Sequence, residues 1–177
     1  MTIRVIRWPE ELDAVRDLDT AFTSDRIFLV ESDKQSFTLV EQPALPPLRK
    51  VYPMDAIGSQ ILPADRTLVA EHDGAVIGIA SMRYEAWNTR AMLRQLYISA
   101  SHRRMGAGRA LVDGIATIAR RLGARCLWVE TQNTNYPAIR FYLDSGFELC
   151  GLDTSLYANS SDPAAEIGLF FAKPLVS

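Results

Sequence analysis

Cysteine and histidine are almost missing from this chain, which has two of each among 177 residues. Cys126 and Cys150 are too few for a disulfide scaffold, and both lie in apolar, strand-like runs, which reads as buried free thiols in a reducing cytoplasm. Neither has a histidine at metal-ligand spacing, and His72 and His102 stand apart in the sequence, so no metal is expected. An excess of positive charge is lacking too. A formal net charge of -2 and a pI near 5.7 provide no broad basic surface to displace counterions from phosphates, which excludes a general nucleic-acid binder. Any basic site must be local. No apolar run is long enough for a membrane span or a signal peptide, and MTIRVIRWPEELDAV carries charge throughout, so a cytoplasmic protein with no membrane partner is expected. Repeats and low-complexity tracts are absent as well.

What is present is the balance of a globular protein, 48% hydrophobic and 23% charged, in a length that suits one domain over residues 1–177. Ile3 to Arg7 reads as a strand and EELDAVRDLDTAF as a helix with Leu12, Val15 and Leu18 on one face. RIFLVES and QSFTLVEQ flank Asp33-Lys34 as a hairpin. Pro43, Pro46, Pro47, Pro53 and Pro63 then predict a loop-rich insertion from 43 to 63, because proline removes ladder donors. Asp73-Gly74 between two apolar runs predicts a tight hairpin, followed by the strand AMLRQLYIS. From Ala107, residues Leu111, Ile115, Ile118 and Leu122 recur at helical spacing up to Gly123. RCLWVETQ is a buried strand, Pro137 to Leu143 a helix closed by Ser145-Gly146, and ELCGLDTSLYA and EIGLFFAKPL are final strands around a polar NSSDPAA turn. The sum is an α/β (α+β) mixture in which hairpins dominate the ends and helices cover the middle.

The stretch HRRMGAGRAL sits where a strand gives way to a helix. Glycines before a helix N-terminus expose main-chain N–H groups at the positive end of the dipole, which suits an anion such as a pyrophosphate. The same glycines would equally serve a sharp turn among solvated arginines. A P-loop is excluded because Gly108 is followed by Arg109 and Ala110, and a dinucleotide fingerprint because Leu111 stands where a third glycine or alanine belongs.

The Arg-x-x-Gly-x-Gly pattern of Arg103, Gly106 and Gly108 resembles the acyl-coenzyme A pyrophosphate loop of the GNAT N-acetyltransferase superfamily. A second block, NYPAIRFYLDSGF from Asn135 to Phe147, is similar to that superfamily's Asn-x-x-Ala-x-x-x-Tyr-x-x-x-Gly-Phe signature. Within the superfamily, the run from Glu130 to Tyr157 resembles the streptothricin acetyltransferase type. The resemblance implies a mixed, mostly antiparallel twisted sheet with a V-shaped splay between two central strands. It implies cofactor contacts from Leu96, Tyr97 and Ile98 on the splayed strand, from Arg103, Arg104, Met105, Gly106, Ala107, Gly108 and Arg109 in the loop, and from Asn135 and Tyr142.

Direct acyl transfer needs a neutral amine, a donor for the developing oxyanion and a proton for the leaving thiolate. A main-chain N–H near Ile98 is the proposed oxyanion donor, and the family position of Tyr142 implies the acid. Tyr142 read alone fits core packing as well, and Asn135 fits a helix N-cap. The glutamate that many family members carry on the splayed strand is replaced here by Arg94 and Gln95, so Glu130 is the first candidate base, followed by Glu85 and Asp153. Substrate contacts are assigned to Tyr52, Tyr84, Glu85, Trp87 and Asp153, beside the 26–63 hairpin and insertion, while Phe37 reads as core. The resemblance thus implies an acetyl-CoA-dependent N-acetyltransferase acting on a primary amine of a small molecule, such as a streptothricin-like antibiotic. A protein lysine or N-terminal acetyltransferase and a non-catalytic acyl-CoA-binding module are the alternatives. Exposed edges of the terminal strands leave room for a homodimer.

Overall fold

The computed structural model describes residues 1–54, 65–157 and 166–175. Along the chain come β1 (Thr2–Val5), α1 (Leu12–Arg16), β2 (Phe22–Asp33), β3 (Ser36–Lys50), β4 (Arg66–His72), β5 (Ala75–Glu85) and β6 (Arg90–Ile98). Then follow α2 (Ala107–Arg121), β7 (Cys126–Gln132), α3 (Tyr136–Asp144), β8 (Glu148–Asp153) and β9 (Gly168–Pro174). They divide between two compact units, each assembled from separated segments.

The first unit comprises Met1–Phe22, Val51–Trp128 and Pro174–Ser177. Its strands lie in the order β1-β4-β5-β6-β7. Asp73 and Gly74, with φ of 49° and 79°, make the expected turn between β4 and β5. Antiparallel pairing continues from β5 to β6, whereas β6 meets β7 in parallel through Arg90↔Cys126, Ala91↔Leu127 and Met92↔Trp128. Parallel neighbours need a crossover, and α2 supplies it. The helix lies over β4, β5 and β6 and buries Leu111, Val112, Ile115, Ala116 and Ala119. Leu122, expected on that buried face, is the C-cap residue and remains 38% exposed, because the helix ends there against the left-handed Gly123. The expected first helix shrinks to five residues. Beyond it Asp19 Oδ1 accepts from the Ala21 amide, a local bond that competes with helix, and Thr20 Oγ1 donates to the distant Tyr52 carbonyl. Val15 and Leu18 still reach a core with Met54, Val69 and Ile79.

The second unit comprises Thr23–Lys50 and Val129–Lys173. The hairpin forms as expected, but β3 runs straight through Pro43, Pro46 and Pro47 to Lys50, where a loop was expected. A two-stranded sheet leaves one side of each strand without a ladder, so of the adjacent Pro46 and Pro47, whose nitrogens face opposite sides, only one can cost the sheet a donor. Positions 55–63 of the expected insertion, and the NSSDPAA turn, lie outside the described residues. Phe37, expected in the core, is 54% exposed beside the hairpin turn. Asn133 ties the hairpin down: its Nδ2 donates to the Phe28 carbonyl at 2.8 Å, and its Oδ1 accepts from the Ile167 amide at 2.8 Å. Strands continue β7-β9-β8. Cys126 is buried in the first unit as expected, but Cys150 is exposed. Leu149 pairs with Phe171 and Gly151 with Phe170, so Cys150 is the extra residue of a bulge in the last strand of the sheet.

Candidate active site

In the first unit β6 ends at Ile98 and a single 3₁₀ turn, Ala100–His102, leads into the glycine loop. Arg104 and Gly106 both have positive φ, 63° and 87°. Gly106 is the N-cap of α2, and no side chain caps that end. The first intrahelical bond runs from the Ala110 amide to the Gly106 carbonyl at 3.0 Å, so the main-chain N–H groups of the opening turn face out of the helix end. No acidic residue lies in that turn, so nothing there neutralises the positive pole. Arg104, Met105 and Gly106 are exposed, while Ala107 is buried and contributes only its backbone. Arg103 is committed elsewhere. Its Nη1 donates to the Ala21 carbonyl at 2.6 Å and its Nε to the Ile98 carbonyl at 3.2 Å, bracing the loop against the strand end. Burial pushes the Arg103 guanidinium below its ordinary value.

On β6, Leu96, Tyr97 and Ile98 pair with Ala80, Ile79 and Gly78. Gly78 is there for space: a Cβ on it would lie 2.5 Å from the Ile98 side chain and 2.9 Å from the Tyr97 carbonyl. Tyr97 and Tyr52 are brought together, with ring centroids 5.5 Å apart, and Tyr52 stacks in turn on Phe22 at 6.0 Å. Arg94 and Gln95, at the positions where an acid was missed, have structural partners. Arg94 joins Arg83 on the fully buried Asp65, and Gln95 accepts from Ser81 Oγ. Tyr84 and Glu85 pair with Ala91 and Arg90 at the far end of the β5–β6 ladder from Ile98, and Trp87, 84% exposed, lies just beyond. The structure therefore does not gather these three with the glycine loop. His72 and His102, apart in sequence, meet edge to face with ring centroids 6.1 Å apart.

In the second unit Asn135 Oδ1 accepts from the Ala138 amide at 3.2 Å, which makes it the N-cap of α3, and Pro137 occupies the first turn. One turn of helix further on, Tyr142 is buried against Phe147 and Phe171, with ring centroids at 5.4 and 6.2 Å. Glu130 and Gln132, two apart on β7, share a face of that strand. The Tyr157 hydroxyl sits on both: it donates to Glu130 Oε1 at 2.5 Å and accepts from Gln132 Nε2 at 2.7 Å. Burial drives the Glu130 carboxyl above its ordinary value, with Glu166 adding to the rise and Tyr157 and Lys50 opposing it. Burial first and Glu130 second push the Tyr157 phenol up. Lys50 is ion-paired with Glu166, which also accepts from Thr134 Oγ1 at 3.0 Å. Asp153 is placed differently: its Oδ1 accepts from the amide and hydroxyl of Ser155, which hold the carboxyl below its ordinary value. Lys50 and Glu166 were missed from sequence, and no spacing signal could pair residues 116 positions apart.

Comparison with known proteins gives one answer at three levels. Residues 26–147 match the family model described as Acetyltransferase (GNAT) family. The chain is 39% identical over 173 residues to a streptothricin acetyltransferase of Streptomyces lavendulae, covering 94% of this chain and 91% of that one. It superposes on the crystal structure of a nourseothricin acetyltransferase with a TM-score of 0.88 at 38% identity, covering 99% and 98% of the two chains. A structure from Bacillus anthracis str. Ames, solved in complex with acetyl coenzyme A, shares the fold with a TM-score of 0.80 at 22% identity, covering 98% and 96%. Among the described residues, no helix is long and apolar enough to cross a membrane.

Proposed function

The chain belongs to the GNAT acetyltransferase family and is an acetyl-CoA-dependent N-acetyltransferase, and on that premise we propose that its acceptor is the primary amine of a small, streptothricin-like molecule. The observation that carries this reading is the 39% identity across 94% of the chain to a streptothricin acetyltransferase. A match of that length takes in the β2–β3 hairpin, where acceptor recognition is assigned, as well as the glycine loop.

The uncapped, acid-free N-terminus of α2 fits a diphosphate. In this reading the main chain from Gly106 to Arg109 binds it, Arg104 adds charge, and the backbone of Leu96 to Ile98 receives the amide-rich arm by strand-like pairing. Asn135 adds a side-chain hydrogen bond. Acetyl-CoA supplies an activated acyl carbon. Glu130, a half-buried carboxylate that holds a proton more readily than an exposed one, takes the first proton from the acceptor ammonium. The freed nitrogen attacks the thioester carbon; the C–N bond forms as the C–S bond breaks. A main-chain N–H near Ile98 meets the charge developing on oxygen. Tyr142 delivers a proton to sulfur and regains one from the nitrogen. Of the three ammonium protons one stays on the amide, one ends on the thiol, and one leaves through Glu130.

An amine panel tests the acceptor. With acetyl-CoA present, thiol release and the mass of an acetylated product are expected for a streptothricin and not for lysine or N-terminal peptides. Acetylated peptides beside an untouched streptothricin would overturn the assignment.

A further inference from the structure

Glu130 is the one carboxylate that the mechanism asks to work, and its immediate surroundings are unusually directional. A phenol has one proton to give. Gln132 Nε2 can only donate, so at 2.7 Å it occupies a lone pair of the Tyr157 oxygen and leaves the phenolic proton aimed at Glu130 Oε1, 2.5 Å away. Three side chains from two places in the chain thus form a one-way relay, Gln132 to Tyr157 to Glu130. The other charges that bear on Glu130 are Glu166 and Lys50, and these two neutralise each other in an ion pair. Tyr157 is therefore the donor whose removal changes the carboxylate most. Left without it, Glu130 would keep its partial burial and lose the hydrogen bond that opposes it, so the carboxyl would rise further above its ordinary value.

We propose that Tyr157 is a positioning residue for the reaction: oriented by Gln132, it donates its single proton to Glu130 and so fixes that carboxylate, in direction and in charge, as the acceptor of the substrate ammonium's proton. The proposal rests on the reading of Glu130 as base. It adds that the base is prepared before substrate arrives, by a residue that touches neither reacting molecule.

The test is the pH profile of kcat/KM with acetyl-CoA and a streptothricin, for the wild-type chain and for Tyr157→Phe, Gln132→Leu and Glu130→Gln. Removing a hydrogen bond to a charged group shifts a titration by about 1–2 pH units. Tyr157→Phe is expected to move the acid limb upward by that amount, so that the activity lost on the acid side of the shifted limb is recovered in large part at higher pH. Gln132→Leu, which frees the phenol to turn, should move it the same way by less. Calorimetric binding of acetyl-CoA reports whether each variant is folded. If Glu130→Gln abolishes the limb while Tyr157→Phe and Gln132→Leu leave it in place, the base reading stands and the role of Tyr157 is overturned. If Glu130→Gln keeps the wild-type limb, the base reading fails and takes this inference with it. A Tyr157→Phe chain that binds acetyl-CoA yet is inactive from pH 6 to pH 10 also overturns the proposal. Should that variant not fold, the Gln132→Leu limb alone decides.

Discussion

The first unit presents main-chain groups, the opening N–H groups of α2 behind the left-handed Gly106, whereas the second presents side chains, Tyr142 on α3 and Glu130 beneath Tyr157 and Gln132. The contrast carries a lesson about tolerance. A main-chain site depends on φ angles and on the absence of competing groups, so many side chains can change without touching it. A side-chain site depends on particular atoms, and changing one ends its chemistry.

Four measurements press on this contrast. The largest effect is expected for Tyr142→Phe, which removes the proposed proton donor and should lower kcat on the order of 10²–10³-fold, with acetyl-CoA affinity by calorimetry altered only a few-fold. Undiminished turnover would break the side-chain half of the comparison. Glu130→Gln comes next, with a fall in kcat/KM of roughly 10²-fold. Because burial raises the Glu130 carboxyl, its proton-accepting form is lost as pH falls through a value above the ordinary 4.5, and the acid limb of the wild-type profile should lie on that side. Gly106→Ala sharpens the other half. Nothing lies within 4 Å of a Cβ placed there, so the cost comes from φ alone, 87°. That strain of about 1–2 kcal/mol should raise the KM for acetyl-CoA by roughly tenfold and leave most of kcat.

The smallest effect concerns stability away from either site. Arg4 bridges Glu11 and Glu71, and its hydrogen bonds hold the Glu11 carboxyl down at about 2 from an ordinary 4.5. A depressed carboxyl stabilises the fold above its unfolded value, and that contribution disappears as pH falls from 4.5 toward 2. Urea midpoints over this window should fall less for Glu11→Gln than for the wild-type chain.

The same division governs what could be read in advance. Features made of backbone announce themselves locally: Asp73-Gly74 marked its hairpin, Gly123 its helix end, and Gly106 the loop, because each conformation narrows the choice of residue. Family spacing singled out Asn135 and Tyr142, and the structure gives them a cap and a packed ring on α3. Features made of distant side chains were not. Glu130 meets Tyr157 across 27 positions and Lys50 meets Glu166 across 116, and no local pattern encodes such pairs. Cys150 and Leu122 failed for a related reason: a bulge and a helix end shift exposure by one residue, which a periodic pattern does not register.

The prolines of β3 carry a consequence for solubility. A lone hairpin with bare edges is a template on which copies of a chain can stack, and Leu45, 86% exposed, would favour such stacking. N–H groups alternate sides along a strand, so Pro46 and Pro47 each remove one amide hydrogen from opposite sides of β3, and the side open to an incoming strand loses a donor. The same residues that obscured the strand in the sequence protect it from aggregation.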